Sequence, residues 1–552
     1  MIGLPGQGMH LGIDPLSALF LCMLAPQVVA SAIAVEKKSV TFWVFVLAMV
    51  LALVAADAFA LIFGFELMSA ASWLLVLRGG RSADGRPAAT LYMGIALFSA
   101  ACLIPAVFLP AGGLAFGLLL LGVGAKAGLA PLHFWLPRAH PAPTAGVSAV
   151  MSGGMVKIAL YIIIRYSFIV FGNAIEPWWG LALMVAGAAS VLIGSLRAVL
   201  EVELKTVLAC STVEHVGLIA VGLGVALRAR AMDDPALASL ALQAALLCAL
   251  AHAAFKPLLF LGAGAVKRAT GTTSLNWLGG LMRAMPRLGL LMLVGAAGMA
   301  ALPLGPGFAP EFLLLHAVIA AAGAGGVMAW IGFTALLGVL GLSAALALAA
   351  AVRIIGIGFL GRPRTLHAAA AEEAGKPMLI GMGLLATCCL PLALTPGLVL
   401  DALRPVISQL VPNAAPEALA YAPLRLLVLM LLLAGVAFFA MRRWAVRGER
   451  EAPAWNGGFG KPPPWLPFGD PATQPSATGF AEPVQRSLGS ALLGTTGTDP
   501  GERYILAPLN RLHGQVTRLA EWVRRATVRQ RLAFVFAALV MFLLVLGLGQ
   551  NG

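Results

Sequence analysis

Glu66, Lys126, Lys157, Lys256 and Glu311 stand inside otherwise apolar stretches of this 552-residue chain. On an insertion scale a charge at the bilayer centre costs about 2.5–3.5 kcal/mol, so five left unpaired would cost about 12–18 kcal/mol. A typical fold has only about 5–15 kcal/mol of net stability. Such residues must therefore face a protein interior or a wet cavity, where partners or a neutral form lower the cost. The chemistry these types offer is proton handling. Lysine shifts its pKa readily when desolvated or placed beside a like charge, whereas a glutamate next to a charged lysine stays ionised. A row of Glu and Lys whose pairings can switch works as a proton relay; structural ion pairing between helices is the plainer alternative.

The histidines extend this set. His252 and Lys256 are spaced i, i+4 in LCALAHAAFKPLLF and share one helix face, where Pro257 frees the carbonyl of Ala253. Imidazole titrates near neutral pH and passes protons through its two nitrogens. Lys205, Glu214 and His215, in LKTVLACSTVEHVGL, are secondary candidates: Lys205 is placed to snorkel to the interface, and the other two lack an evident partner. His133 and His140 flank a proline-rich stretch, either at a proton entrance or as interfacial residues beside Trp135. His316, five residues after Glu311, is expected to extend that helix's polar track. Lys126 and Lys157, on successive helices, are expected to share one hydrated pocket. Cys22, Cys102, Cys210, Cys248, Cys388 and Cys389 show no metal-ligand spacing, so neither a metal, a cofactor nor a disulfide framework is expected.

Transmembrane helices must position these side chains. The chain is 60% hydrophobic and 11% charged, against about 25% charged in a soluble domain. Apolar runs give about fourteen spans, near 14–35, 39–56, 58–79, 87–109, 113–131, 145–170, 176–197, 204–227, 235–262, 286–322, 325–360, 376–400, 423–441 and 530–549. Two are interrupted: the fifth by Pro131 and the prolines after it, the tenth by Pro303, Pro306 and Pro310. Irregular backbone at membrane depth is tolerated only where it is shielded or lines a cavity. The net charge of +14 resides in loops and reads as topology rather than nucleic-acid binding. One face collects most of the Lys and Arg, while the other holds only Arg165, Arg228, Arg230, Arg404 and Arg425; the first is expected to be cytoplasmic, with both termini opposite, in a bacterial inner membrane. Residues 1–13 lack a basic leader region, so no cleavable signal is expected.

The expected organisation is an N-terminal helix (1–38), a five-helix repeat (39–170), an inverted second repeat (171–360), two peripheral helices (361–443), a Pro/Gly-rich cytoplasmic loop (444–502) and a basic amphipathic helix with a last span (503–552). Each repeat has its fourth helix broken.

Five segments, FELMSAASWLLV, KAGLAPLHFWLPRAHPAPTAGVSAVMSGGMVK, LKTVLACSTVEHVGLIAVGLG, HAAFKPLLFLGAGAVKRATG and LPLGPGFAPEFLLL, resemble the antiporter-like subunits of respiratory complex I, multisubunit cation/proton antiporters and membrane-bound hydrogenases. The tail (WNGGFGKPPP, TGFAEPVQR, ERYILAPLNRL) looks most like hydrogenase-4 component B and the formate hydrogenlyase membrane subunit. The resemblance implies two inverted repeats, each with a proton half-channel, and no redox centre. By it Glu66 pairs with Lys126, Lys157 is the next relay lysine, His252 and Lys256 form a central axis, and Glu311 is the broken-helix acid. It also implies other membrane subunits and a soluble redox or metabolic module as partners. The chain departs from the pattern where it begins close to the family's third helix, at Pro257, and in an eleventh span with no Lys or Glu before Arg353. Three readings follow: a proton-translocating subunit of a larger complex, a Na⁺ or K⁺/proton antiporter subunit, or a membrane scaffold for a soluble partner.

Overall fold

The computed structural model describes residues 3–4, 7–34, 39–79, 85–172, 174–323, 326–412, 421–444, 473–489, 501–508 and 511. Residues 1–490 form one compact unit and 491–552 a second. The first unit opens with a small hairpin, β1 (Gly3–Leu4) and β2 (Gln7–Gly8), and is otherwise helical. Helices α1 (Pro15–Ala34), α2 (Val40–Val54), α3 (Ala58–Gly79), α4 (Gly85–Phe108) and α5 (Gly113–Ala127) follow in order. α5 ends because Gly128 adopts φ +81, a left-handed conformation that only glycine enters without a steric cost. A 3₁₀ turn at Leu132–Trp135 and the short α6 (Leu136–Ala139) complete the first break.

α7 (Ala145–Val150) and α8 (Val156–Ile164) are joined by a π-helical segment, Met151–Met155, and extended by another, Arg165–Val170. Then come α9 (Pro177–Leu200), α10 (Leu204–Ala231), α11 (Pro235–Thr270), α12 (Leu281–Ala284), α13 (Pro286–Met299) and α14 (Phe308–Gly323). The gap between α13 and α14 is the second break. α15 (Val327–Val352) runs into a π-helical stretch, Arg353–Phe359, and is followed by α16 (Leu366–Ala369), α17 (Lys376–Leu394), α18 (Pro396–Leu410), α19 (Pro423–Trp444) and α20 (Ala477–Val484). In the second unit, Glu502–Leu506 form one π-helical turn.

Eleven of the described helical spans are long and apolar enough to cross a membrane, and three shorter apolar helices (Val40–Val54, Pro286–Met299, Phe308–Gly323) accompany them. This is a multi-pass membrane protein. Span 376–400 differs from expectation: it ends at Leu394, and Pro396 starts a separate helix, α18, since proline cannot continue α17 but suits a first helical turn. The stretch 444–500, expected to be a loop, contains α20, capped by the Ser476 hydroxyl on the Gly479 amide at 2.9 Å. Thr478 and Asn276 exchange two hydrogen bonds that pin it. The amphipathic helix and last span expected at 503–552 lie almost wholly outside the described residues.

The most buried crossings are Ala145–Val170, Leu204–Ala231 and Pro235–Thr270. α9 and α10 pack closely because glycines seven residues apart on α9 meet the backbone of α10. A Cβ at Gly187 would come 2.8 Å from the Gly217 carbonyl, and one at Gly194 would come 2.5 Å from the Glu214 amide. Small residues of this kind let membrane helices approach when hydrophobic driving force is absent.

Candidate functional site

Lys126 sits on the last turn of α5 with no exposed surface. Its Nζ donates to the Ser69 hydroxyl at 2.9 Å and the Tyr92 hydroxyl at 2.6 Å. Tyr92 OH in turn lies 2.6 Å from Ser72 Oγ, so α3 and α4 supply an acceptor bed for the ammonium. Glu66, one turn before Ser69 on α3, is partly buried, and its Oε1 has no hydrogen-bond partner. The expected Glu66–Lys126 pair is therefore replaced by hydroxyl contacts, although the two charges remain within electrostatic range. The lysine reaches Ser69 because i, i+3 positions stack on one face of α3.

The first break places an aromatic wall beside this group. Trp135 Nε1 donates to the Ala125 carbonyl in the last turn of α5 at 2.8 Å; that carbonyl also accepts from the Gly128 amide at 3.2 Å. The indole lies 5.0 Å from the Tyr92 ring and 5.6 Å from the His140 ring. His133 and His140 are both buried, so neither is an interfacial residue. Both ring nitrogens of His140 lack hydrogen-bond partners, and Lys157 is within electrostatic range.

Lys157 does not share the Lys126 pocket. It points across to α11, where its Nζ is hydrogen-bonded to His252 Nδ1, and it also donates to the Ser152 carbonyl at 3.2 Å. That carbonyl is within reach because the π-helical segment Met151–Met155 widens the turn. Gly153 in this segment has no room for a side chain: a Cβ would overlap Gln27 Oε1 of α1 and Pro257 Cγ of α11. Glycine here lets α1, α7–α8 and α11 converge around Lys157.

From His252 the row continues through rings. His215 and His252 lie 5.2 Å apart, and Phe255 packs against both at 5.2 and 5.6 Å. His215 Nδ1 donates to the Ser211 carbonyl at 2.7 Å. Lys256 Nζ is hydrogen-bonded to the Ser211 hydroxyl, which also lies 3.2 Å from Met299 Sδ at the second break. Glu214 Oε1 accepts from Ser343 of α15 at 2.9 Å, and its Oε2 is 4.0 Å from His215 Nδ1. Glu311, partly buried in the first turn of α14, is within electrostatic range of Glu214. Lys157, His252, His215, Lys256 and Glu214 are each at most 2% exposed.

Three further expectations change. Glu214 and His215 have partners and lie centrally; α9, held close by Gly194, brings them inward. Lys205 does not snorkel: it is buried and donates to the Pro143 and Pro141 carbonyls at 2.8 and 3.3 Å, fastening the first break to α10. His316 is exposed, with Nδ1 on the Phe312 carbonyl at 2.9 Å and its ring 4.3 Å from Phe312. Five residues turn a helix well past one revolution, about 140° off Glu311's direction, so it cannot extend that track. The hydroxyls of Tyr92, Ser69, Ser211 and Ser343 were missed; lone polar residues facing a charged one across apolar helices were their only signal. Among the described residues, no cluster of three or more His, Cys, Asp or Glu is placed to hold a metal ion.

The fold and site define a polytopic membrane protein with a buried row of amines, imidazoles and carboxylates running from helix to helix. Residues 110–338 match the family model described as NADH:quinone oxidoreductase/Mrp antiporter, TM. The chain is 35% identical to an uncharacterized protein of Mycobacterium tuberculosis, over 89% of this chain and 82% of that one. It is 31% identical to hydrogenase-4 component B of Escherichia coli K12, over 91% of this chain and 82% of the relative. A chain of an archaeal respiratory membrane complex, the membrane-bound sulfane sulfur reductase, has the same fold, with TM-score 0.75 at 20% identity, covering 98% of this chain and 92% of that one. The chain belongs to the antiporter-like membrane-subunit family of NADH:quinone oxidoreductases, membrane-bound hydrogenases and Mrp antiporters.

Proposed function

We propose that this chain translocates protons as a membrane subunit of a multisubunit complex of the complex I or membrane-bound hydrogenase type. The observation that carries the reading is the buried succession Lys157–His252–His215–Lys256–Glu214: the first three are in hydrogen-bond or ring contact, and Lys256 lies within electrostatic range of His215 and Glu214. Such groups hand on a proton by changing partners, and a low-dielectric setting makes each pairing strong. Lys126, on its bed of hydroxyls, and Glu311, at the second break, are the two switching points. Glu66 tunes Lys126 through space. Trp135 and His140 stand between the Lys126 group and Lys157. In this reading residues 39–170 and 171–360 act as two inverted half-channels, with the other segments as boundaries read from the sequence. Other membrane subunits flank the chain, a soluble redox or metabolic module drives the protonation changes, and the assembly lies in a bacterial inner membrane with both termini away from the cytoplasm.

The family description also includes Mrp antiporters, so Na⁺ or K⁺ transport through the same row is the second reading. The lining favours protons: amines and imidazoles outnumber carboxylates, whereas alkali cations select rings of oxygen ligands. The test is proton uptake by vesicles containing the assembled complex. Lys126→Ala is expected to abolish uptake while the complex still assembles. Unchanged uptake in both Lys126→Ala and Glu311→Ala would overturn the assignment.

A further inference from the structure

A second polar track leaves the row along a direction that the succession above does not use. Lys157 and Tyr161 are spaced i, i+4 on one face of α8, and Arg165, at i+8, opens the π-helical segment that extends it. Tyr161 is wholly buried, and its hydroxyl lies 3.1 Å from Ser17 Oγ of α1 and 2.9 Å from the Leu53 carbonyl. Ser17 is buried as well. Its hydroxyl accepts from Arg165 Nη2 at 3.0 Å and interacts with the Asp14 carboxylate. Asp14 is part-exposed, pairs with Arg165 at 2.6 Å, and accepts from Gln409 of α18 at 2.8 Å and from the Ser17 amide at 2.8 Å. Hydroxyls thus lead from the neighbourhood of Lys157 to a carboxylate at the surface. Membrane interiors otherwise exclude such groups unless they serve a pathway or satisfy one another.

We propose that Tyr161, Ser17 and Asp14 form a proton outlet from Lys157 to the face that carries Asp14 and Arg165. The inference rests on the proton-translocation reading. Lys157 is its switch, with Nζ on His252 in one position and swung along α8 to Tyr161 in the other. In the outward position the ammonium gives its proton to the Tyr161 oxygen. The Tyr161 proton passes to Ser17 Oγ, and the Ser17 proton passes to the Asp14 carboxylate and on to water. Lys157 is left as a neutral amine to be recharged through His252. Return of the Tyr161 hydroxyl to the Leu53 carbonyl closes the wire. Burial works against the charge on Asp14, but the Ser17 amide and the Arg165, Gln409 and Ser17 side chains outweigh it and hold the carboxyl at about 2. A group of that kind releases a proton at once rather than storing it.

The experiment uses the complete complex in sealed vesicles and compares Tyr161→Phe, Ser17→Ala and Ser17→Cys with Lys126→Ala. Tyr161→Phe keeps the ring that packs edge-on against Phe20 at 5.3 Å, so packing is retained while the relay atom is lost. The expected result is a fall of at least tenfold in Lys126-dependent proton uptake for Tyr161→Phe and Ser17→Ala, with assembly and melting temperature preserved. Partial recovery is expected in Ser17→Cys, whose thiol restores an exchangeable proton. Uptake at the wild-type rate in Tyr161→Phe and Ser17→Ala, alongside loss in Lys126→Ala, would overturn the outlet and leave the main row standing. Uptake that survives Lys126→Ala would overturn the main reading and the outlet with it.

Discussion

Lys256 shows how finely a single contact is set. Its ammonium has no exposed surface and depends on one hydroxyl, Ser211, with the Leu208 carbonyl at 3.4 Å as a distant second. Removing a partner from a buried charged group costs about 1–3 kcal/mol or more, a roughly five- to 150-fold effect on an equilibrium. Ser211→Ala is expected to slow proton uptake about tenfold with the fold intact, measured in vesicles against Ser343→Ala, which takes one partner from Glu214. The charged members of this row were legible in the sequence because a Lys or Glu in an apolar run is conspicuous. Their partners were not. Serine and tyrosine are ordinary in membrane helices, and nothing in spacing along one helix says which hydroxyl of another helix faces Lys126. The Glu66–Lys126 pair implied by resemblance acts at electrostatic range, while the direct hydrogen bonds of Lys126 go to Ser69 and Tyr92, which spacing on α3 alone does not reveal.

At the scale of elements, the breaks were readable and the bulges were not. Gly128 ends α5, and the prolines that follow (Pro131 in the first break, Pro303 and Pro306 in the second) lack a backbone donor and mark both interruptions in the sequence. The π-helical segment at Met151–Met155 has no such mark; it arises where α1 and α11 press on Gly153 and Gly154, a tertiary cause. Gly153→Ala is expected to destabilise the protein by about 1–3 kcal/mol, as over-packing does in dense interiors. Melting in detergent should reveal this as a lowered midpoint, with Lys157 function impaired. Gly94→Ala on α4, where a Cβ meets nothing within 4 Å, is expected to be neutral or slightly stabilising. The start of α18 is hidden in the sequence because one apolar run continues across Thr395, although Pro396 is a strong start signal.

For the whole molecule, the outer end of α8 ties α1, α8 and α18 together through Asp14, Arg165 and Gln409, and this sets a pH dependence. The folded-state value for Asp14, about 2, lies below its ordinary 3.8. A carboxyl depressed on folding stabilises the protein fully above its unfolded value and loses that contribution as pH falls through its folded value. Stability from this cluster should therefore be complete above about pH 4 and decline toward pH 2. Asp57, held down by the Ala60 and His10 amides against its burial, acts in the same direction. Melting between pH 6 and pH 3 is expected to show a shallower decline in Asp14→Asn than in the parent, from a lower starting point. The orientation of the two tracks has an electrical consequence. In the proposed relay, charge passed from helix to helix parallel to the membrane would do little work against a transmembrane voltage. Charge rising from Lys157 to Asp14 climbs the two turns between Lys157 and Arg165, about 12 Å of an about 30 Å hydrocarbon layer. At about 2.3 kcal/mol per elementary charge per 100 mV for the full thickness, that climb amounts to about 1 kcal/mol per 100 mV. On this proposal the row would be a nearly field-free conductor, and the outlet along α8 would be where the membrane's voltage acts.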